Sequence, residues 1–311
     1  MDNKNNKDNK EMDSDSTIEK EDERENKEIR SIVISGGGTT IFPFYGILKQ
    51  TNLQKDWKIE NIKRIYATSA GTVLAIFIAL NYEWSILDDF IIKRPWHNVF
   101  KIDVSSITSF IYKRGILNIK SIEDTLSPVF LGKDISIHVT LQEFFEITGI
   151  DIHFFTTSLD TVQTVDINHT THPHWQVVEA VYSSSCLPVL FSPFIKDGIW
   201  YCDGAASVHY PLDNCIKDGN DPDEIMGLEK KSNSEGEKNQ IGEDSNMFDY
   251  ILFIVSKFVN LLFKKTEIAI KNEYKYIGPP LYLLDIFNVS SNIEERIHLI
   301  KVGEEIAIHH K

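Results

Sequence analysis

Residues 63–79, KRIYATSAGTVLAIFIA, constrain this chain more than any other stretch, because a β-prone run and a helix-prone run meet there with almost no chain between them. Arg64-Ile65-Tyr66-Ala67 is short and apolar, and Gly71 onward is rich in good helix formers, so the chain must turn sharply at Ser69. A serine on a strand-to-helix elbow stands out at the end of a sheet. The N–H groups and dipole of the following helix favour negative charge beside it. Ala67, Ala70 and Gly71 are small enough for strand and helix to approach each other closely. Ser69 is therefore a candidate nucleophile, although small residues around a serine also mark ordinary turns and helix caps.

A second join of the same kind lies upstream. Ser31-Ile32-Val33-Ile34 is a β-branched run leading into Ser35-Gly36-Gly37-Gly38, followed by FPFYGIL, which reads as a helix after its proline. Three glycines after a strand expose close-set N–H groups that suit an oxyanion or a phosphate. The phosphate option lacks both the G-x-x-x-x-G-K-[ST] and the G-x-G-x-x-G spacing. A third stretch, Ile199-Trp200-Tyr201-Cys202-Asp203-Gly204-Ala205, reads as a strand ending in an Asp-Gly turn.

Taken together, these parts resemble the patatin-like phospholipases in order and spacing. The resemblance includes Gly46 in the first helix, the segment AVYSSSCLPVLFSP at 180–193, Pro211 after the Asp-Gly turn, and Gly303 in a closing helix, and it covers roughly residues 30–307. It implies an α/β fold, a three-layer α/β/α sandwich with a mostly parallel central sheet. It also implies a lipid acyl hydrolase of phospholipase A type with a serine–aspartate dyad. Ser69 would be the nucleophile, Asp203 the general base, and the N–H groups of Gly36, Gly37 and Gly38 the oxyanion hole, with no cofactor and no metal. An aspartate acts as a base near neutral pH only if partly desolvated, and Trp200, Tyr201 and Cys202 are the residues at hand to desolvate it.

The chain departs from the family pattern in three places. Ala67 stands at the elbow's first glycine, Thr40 and Ile41 where a basic residue and a glycine are common, and His209 where asparagine is common. Two other readings stay open: an inactive lipid-binding or regulatory protein on the same fold, and a Ser-His-Asp esterase using His298 or His309.

The length of 311 residues, 42% hydrophobic, suits one large α/β domain, placed at residues 31–308. Residues 1–30, almost wholly Asp, Glu, Lys, Asn and Ser, read as a disordered acidic tail without the apolar core of a signal peptide. Residues 229–246 read as a disordered insertion. A net charge of −14 argues against nucleic acid as a partner and against strong attraction to anionic lipid. Cys186, Cys202 and Cys215 have no metal or redox spacing and suit a reducing, cytoplasmic-type compartment. His169, His172 and His174 cluster in NHTTHPHW, but Pro173 interrupts them and no helix sets them at ligand spacing. Residues 247–263, MFDYILFIVSKFVNLLF, are too short and too polar to read as a membrane span. They read as a helix packed on the sheet or as a peripheral contact with the lipid surface that supplies phospholipid or another acyl lipid. Helices are expected at 84–93, 105–112, 119–130, 140–148 and 293–308. Strands are expected at 150–159, 164–167 and 225–228, with a last strand at 282–286. Nothing in the sequence sets the oligomeric state.

Overall fold

The computed structural model describes residues 27–101, 110–232, 268–279 and 283–310, with isolated positions between 247 and 257. Residues 1–26 of the expected tail, 102–109, 233–246 and most of 247–263 lie outside the described residues, and so do the expectations placed on them.

Ten strands are described: β1 (Ser31–Ile34), β2 (Arg64–Thr68), β3 (Gly115–Leu117), β4 (Asp151–Ser158), β5 (Gln163–Ile167), β6 (Val189–Phe191), β7 (Phe194–Lys196), β8 (Ile199–Asp203), β9 (Ile225–Ser232) and β10 (Asn272–Gly278). The main sheet runs β10-β9-β1-β2-β4-β8-β7, with β5 also paired to β4, while β3 and β6 form a separate pair. The neighbours from β10 to β4 are parallel, and β5, β7 and β8 add antiparallel pairings. β1 lies between β2 and β9 and is buried on both faces, which is why its four residues carry no solvent-facing alternation.

The pleat divides these strands between two cores. Ile32, Ile34, Ile65, Ala67, Ile152 and Phe154 face a large core, where the helix Ala70–Ala79 is buried nearly all round. Val33, Tyr66 and Phe155 face a smaller cluster closed by Leu212 and Cys215 of the short helix Leu212–Lys217. The result is a mostly parallel sheet with helices on both sides, thick on one face and thin on the other.

The first helix, Ile41–Leu53, crosses the last, Ile293–His309, at two glycines. A Cβ on Gly46 would lie 2.1 Å from the Ile300 carbonyl oxygen, and one on Gly303 would lie 1.9 Å from that of Pro43. Both positions therefore exclude any side chain, and the two ends of the domain lock together there.

Several local expectations agree with the structure. The helix Trp84–Lys93 spans the expected residues, Ile119–Leu131 overruns its expected end by one, and Thr140 and Glu143 form both halves of a capping box on Leu141–Thr148. Others are corrected. The strand expected at 282–286 is instead part of the helix Leu283–Ser291: a short apolar run satisfies either periodicity, and the continuation to Val289 decides for the helix. The edge strand is β10, NEYKYIG, whose charged residues concealed it and whose Glu273 and Lys275 pair at 2.6 Å. β9 continues to Ser232 because β10 pairs with it throughout, so residues 229–232 belong to the sheet and not to an insertion. Of the expected tail, Lys27 bonds Asp221 at 2.6 Å and Ile29 is buried. Among the described residues, no helix is long and apolar enough to cross a membrane.

Candidate active site

β2 ends at Thr68, the helix starts at Ala70, and Ser69 makes the whole turn with φ 53° and ψ −128°. A non-glycine residue at such a φ is strained by about 1–3 kcal/mol and persists only where its surroundings hold it. Three hydrogen bonds do so here. The Ser69 N–H donates to Ser184 Oγ (2.9 Å), and the Ser69 carbonyl accepts from the Thr72 N–H (2.9 Å) and Thr72 Oγ1 (2.6 Å). Ser184 Oγ in turn donates to the Phe155 carbonyl at 2.5 Å, tying the elbow to β4. Gly71 has no room for a side chain, since a Cβ there would lie 2.8 Å from Ile34 and 2.9 Å from the Ser35 carbonyl oxygen.

β8 brings Asp203 to this elbow from the other side of β4. Ser69 Oγ donates to Asp203 Oδ2 at 2.7 Å, and Asp203 Oδ1 accepts from the Ala205 N–H at 2.8 Å. The Asp203 backbone is also anchored: its N–H bonds the Cys186 carbonyl, and its carbonyl accepts from Thr157 Oγ1. Asp203 is 3% exposed, and among the described residues no cation is bonded to it. Burial pushes its carboxyl up to about 6, and the hydrogen bonds from Ser69 and Ala205 restrain the rise. Tyr201 and Cys202 are buried beside it as expected. Trp200 lies only half-buried, with the Arg114 guanidinium 5.2 Å from its ring.

The glycine loop is only partly free. The Ser35 N–H bonds the Leu228 carbonyl and the Gly36 N–H bonds the His209 carbonyl at 3.1 Å, so sheet-like pairing extends one residue beyond β1. Gly36 is thereby removed from the expected set of three donors. Gly37 and Gly38 follow with φ 142° and 61°, and Gly38 lines the cavity above Ser69. His209 serves through its backbone, and burial pushes its imidazole down to about 4.

Ser69, Asp203 and Gly38 open onto a cavity of about 160 Å³. Its walls are almost wholly apolar, with Val73, Phe77, Trp96, Phe100, Leu190 and Phe191 among them. Ser185 also lines it, and its buried hydroxyl has no hydrogen-bond partner among the described residues. Two further features were not anticipated from sequence. Ser184 holds the strained serine, and it was visible only as one of three consecutive serines. Arg296, 1% exposed, gives its guanidinium to carbonyls instead of a carboxylate: Ile92 (3.0 and 2.7 Å), Arg94 (3.4 Å), Val289 (2.6 Å) and Ser290 (3.0 Å). It thus joins two cavity walls, since Ile91, Val289 and Ser290 all line the cavity.

The histidines lie elsewhere. His298 and His309 are exposed on the last helix, and among the described residues no histidine lines the cavity. His169 bonds Asp151 at 3.0 Å and stacks on Phe145, and His172 meets the Trp175 ring edge-on. All three cysteines are free and buried.

Fold and site together define an α/β protein with a strained serine elbow whose hydroxyl is bonded directly to a buried carboxylate. The model of the patatin-like phospholipase family matches residues 32–216, and the chain belongs to that family, with its α/β/α fold. Uncharacterized protein R571 of Acanthamoeba polyphaga mimivirus is 23% identical over 284 residues, covering 90% of this chain and 85% of that protein. Probable lipid hydrolase 463L of Invertebrate iridescent virus 6 is 22% identical over 193 residues, covering 61% of this chain and 64% of that protein. Among solved structures, VipD from Legionella pneumophila shares the fold, with a TM-score of 0.56 and 14% identity over 91% of this chain and 67% of VipD.

Proposed function

We propose that this chain hydrolyses the acyl ester bonds of lipids, as a phospholipase A-type enzyme, through a Ser69–Asp203 dyad. The observation that carries the reading is the 2.7 Å bond from Ser69 Oγ to Asp203 Oδ2 at the floor of an apolar cavity. Membership of a phospholipase family and likeness to a probable lipid hydrolase support a lipid ester as substrate. The acyl chain lies along the apolar walls, which places its carbonyl carbon at Ser69. Asp203 takes the hydroxyl proton as Ser69 Oγ attacks that carbon, and the carbonyl oxygen becomes an oxyanion facing the N–H groups of Gly37, Gly38 and Ala70. Collapse of this intermediate breaks the ester C–O bond, and Asp203 returns the proton to the departing alcohol. Water, deprotonated by Asp203, then attacks the acyl-serine, releasing the fatty acid and restoring Ser69. A carboxyl held near 6 is ionised at neutral pH yet basic enough to accept these protons. Exposed His298 and His309 have no part in the reaction.

The test is fatty-acid release from defined phosphatidylcholine by the parent and by Ser69→Ala, beside labelling by a fluorophosphonate. Release and labelling that both depend on Ser69 are expected. Labelling without hydrolysis of any acyl lipid would leave a reactive serine and refute the lipid assignment.

A further inference from the structure

A second set of polar side chains, built round the buried His153, lies on the thin face of the sheet, near the start of β4 and apart from the cavity. The ring of His153 stacks on Tyr66, with centroids 4.3 Å apart and planes within 12°, and is 8% exposed. Asp166 reaches it from β5, and Asp218 reaches it from the end of the helix Leu212–Lys217. One ligand atom from each of His153, Asp166 and Asp218 lies within 4.8 Å of the other two. We propose that these three side chains bind a divalent transition-metal ion of the Zn²⁺ type, which pins the β4–β5 hairpin to the helix covering this face.

Each of the three presents one atom to the common point and has another held by a neighbour. Asp151 Oδ2 lies 3.3 Å from His153 Nε2, which leaves Nδ1 as the ligand atom. Asn168 Nδ2 donates to Asp166 Oδ1 at 3.2 Å, which leaves Oδ2, already 2.7 Å from Nδ1. The Tyr66 hydroxyl donates to Asp218 Oδ2 at 3.0 Å and accepts from Asn220 Nδ2 at 3.1 Å. Outer partners of this kind orient the ligands of metal sites, a histidine ring held by a carboxylate above all. The charge balance points the same way. Three carboxylates, Asp151, Asp166 and Asp218, converge on the one His153 ring, with His169 at 3.0 Å and Arg64 at 4.0 Å from Asp151, so acidic groups outnumber the basic groups that face them. Asp218 has no ion-pair partner among the described residues.

The widest spacing, within 4.8 Å, must contract on binding. A tetrahedral ion bound at about 2.0–2.1 Å sets its donors about 3.3 Å apart, so the Nδ1 to Oδ2 contact must widen while the third donor closes in. Asp218 sits on a surface turn and can make that movement. The ion replaces the proton shared between Nδ1 and Oδ2, and water completes the coordination. One imidazole with two carboxylates favours Zn²⁺ over Mg²⁺ or Ca²⁺, which prefer sites built from oxygen alone.

The experiment is equilibrium dialysis of the full chain, freed of metal by chelator, against Zn²⁺, with thermal melting as a second readout. Binding of one Zn²⁺ with a raised Tm is expected, and Ca²⁺ and Mg²⁺ should give neither. Asp218→Asn and Asp166→Asn should each weaken Zn²⁺ binding at least tenfold. Asp218 is exposed, so its variant should melt like the metal-free parent. Ser69→Ala should bind Zn²⁺ as the parent does, which separates this inference from the hydrolase reading. Co²⁺ in place of Zn²⁺ should give visible absorption that Asp218→Asn abolishes. The inference fails if no stoichiometric Zn²⁺ binds, or if binding survives both aspartate variants. It fails equally if binding is lost in His172→Ala/His174→Ala and kept in Asp218→Asn, since the ion would then sit on the surface histidine loop.

Discussion

β2 and β4 support two polar clusters, each built round one buried titratable group, that differ in the presence of compensating charge. At the ends of these strands, Asp203 is buried with a hydroxyl and an N–H as partners and, among the described residues, no cation bonded to it, and its carboxyl rises to about 6. Nearer the start of β4, burial alone would lower His153, but Asp151 and Asp166 outweigh it and lift the imidazole to about 9. Desolvation acts on both. The partners decide whether the outcome is a reactive proton acceptor or an ion-paired strut between elements. A serine hydroxyl satisfies the Asp203 carboxylate without neutralising it, which is what the proposed base role requires.

Ser69→Ala cuts most directly into that comparison. It should lower ester hydrolysis at least about 10⁴-fold, measured with a soluble short-chain ester, while circular dichroism and Tm stay near the parent's. Near-parental turnover would place the nucleophile elsewhere. Asp203→Asn should lose about 10³-fold or more, because the amide cannot take the proton. In the parent, kcat/KM should rise with pH through about 6 and then level, since the proposed base must be ionised in the free enzyme. Stability should run the other way. A carboxyl raised in the folded state contributes stability that is fully present below its ordinary value near 3.8 and is lost as pH rises through about 6. Asp203→Asn should therefore be more stable than the parent by about 2–3 kcal/mol at pH 8, with the difference fading toward pH 4 in urea melts. A less stable variant at pH 8 would mean that the dyad is a structural pair and would erase the contrast with His153.

Arg296→Met sharpens the comparison from a third buried polar group, one satisfied by carbonyls alone. It should cost about 3 kcal/mol and broaden acyl-chain selectivity, read as the ratio of kcat/KM between short and long esters, because two cavity walls lose their tie. An unchanged ratio would confine Arg296 to stability. The smallest effect is expected for Ser184→Ala. The Ser69 N–H loses its acceptor, and kcat should fall about tenfold with little change in KM, as about 1–2 kcal/mol of support for the strained turn disappears. A loss carried by KM instead would argue against a role in holding Ser69.

Ser69 and Asp203 were legible because their local chemistry is written in adjacent residues. A sharp turn needs small neighbours, an Asp-Gly pair ends a strand, and the order of the pieces matched a known arrangement. The glycine loop was legible only in outline. Whether Gly36 offers its N–H depends on the His209 carbonyl, which lies far along the chain. β10 was missed because charged residues masked the strand, and the helix Leu283–Ser291 was misread because a short apolar run fits either periodicity.

By itself the sequence determined the elbow, the glycine turn, the strand leading to Asp203 and the sheet-forming runs, since each rests on backbone preferences within a few residues. Tertiary structure alone decided that Ser69 Oγ and Asp203 Oδ2 stand 2.7 Å apart, that Ser184 and Thr72 hold the strained turn, and that Arg296 joins two walls of the cavity. It also decided that His153 meets Asp166 and Asp218. The physical reason is the same in each case. A buried donor or charge must be satisfied, and which distant group satisfies it is settled by the register and packing of whole elements, which no local pattern encodes.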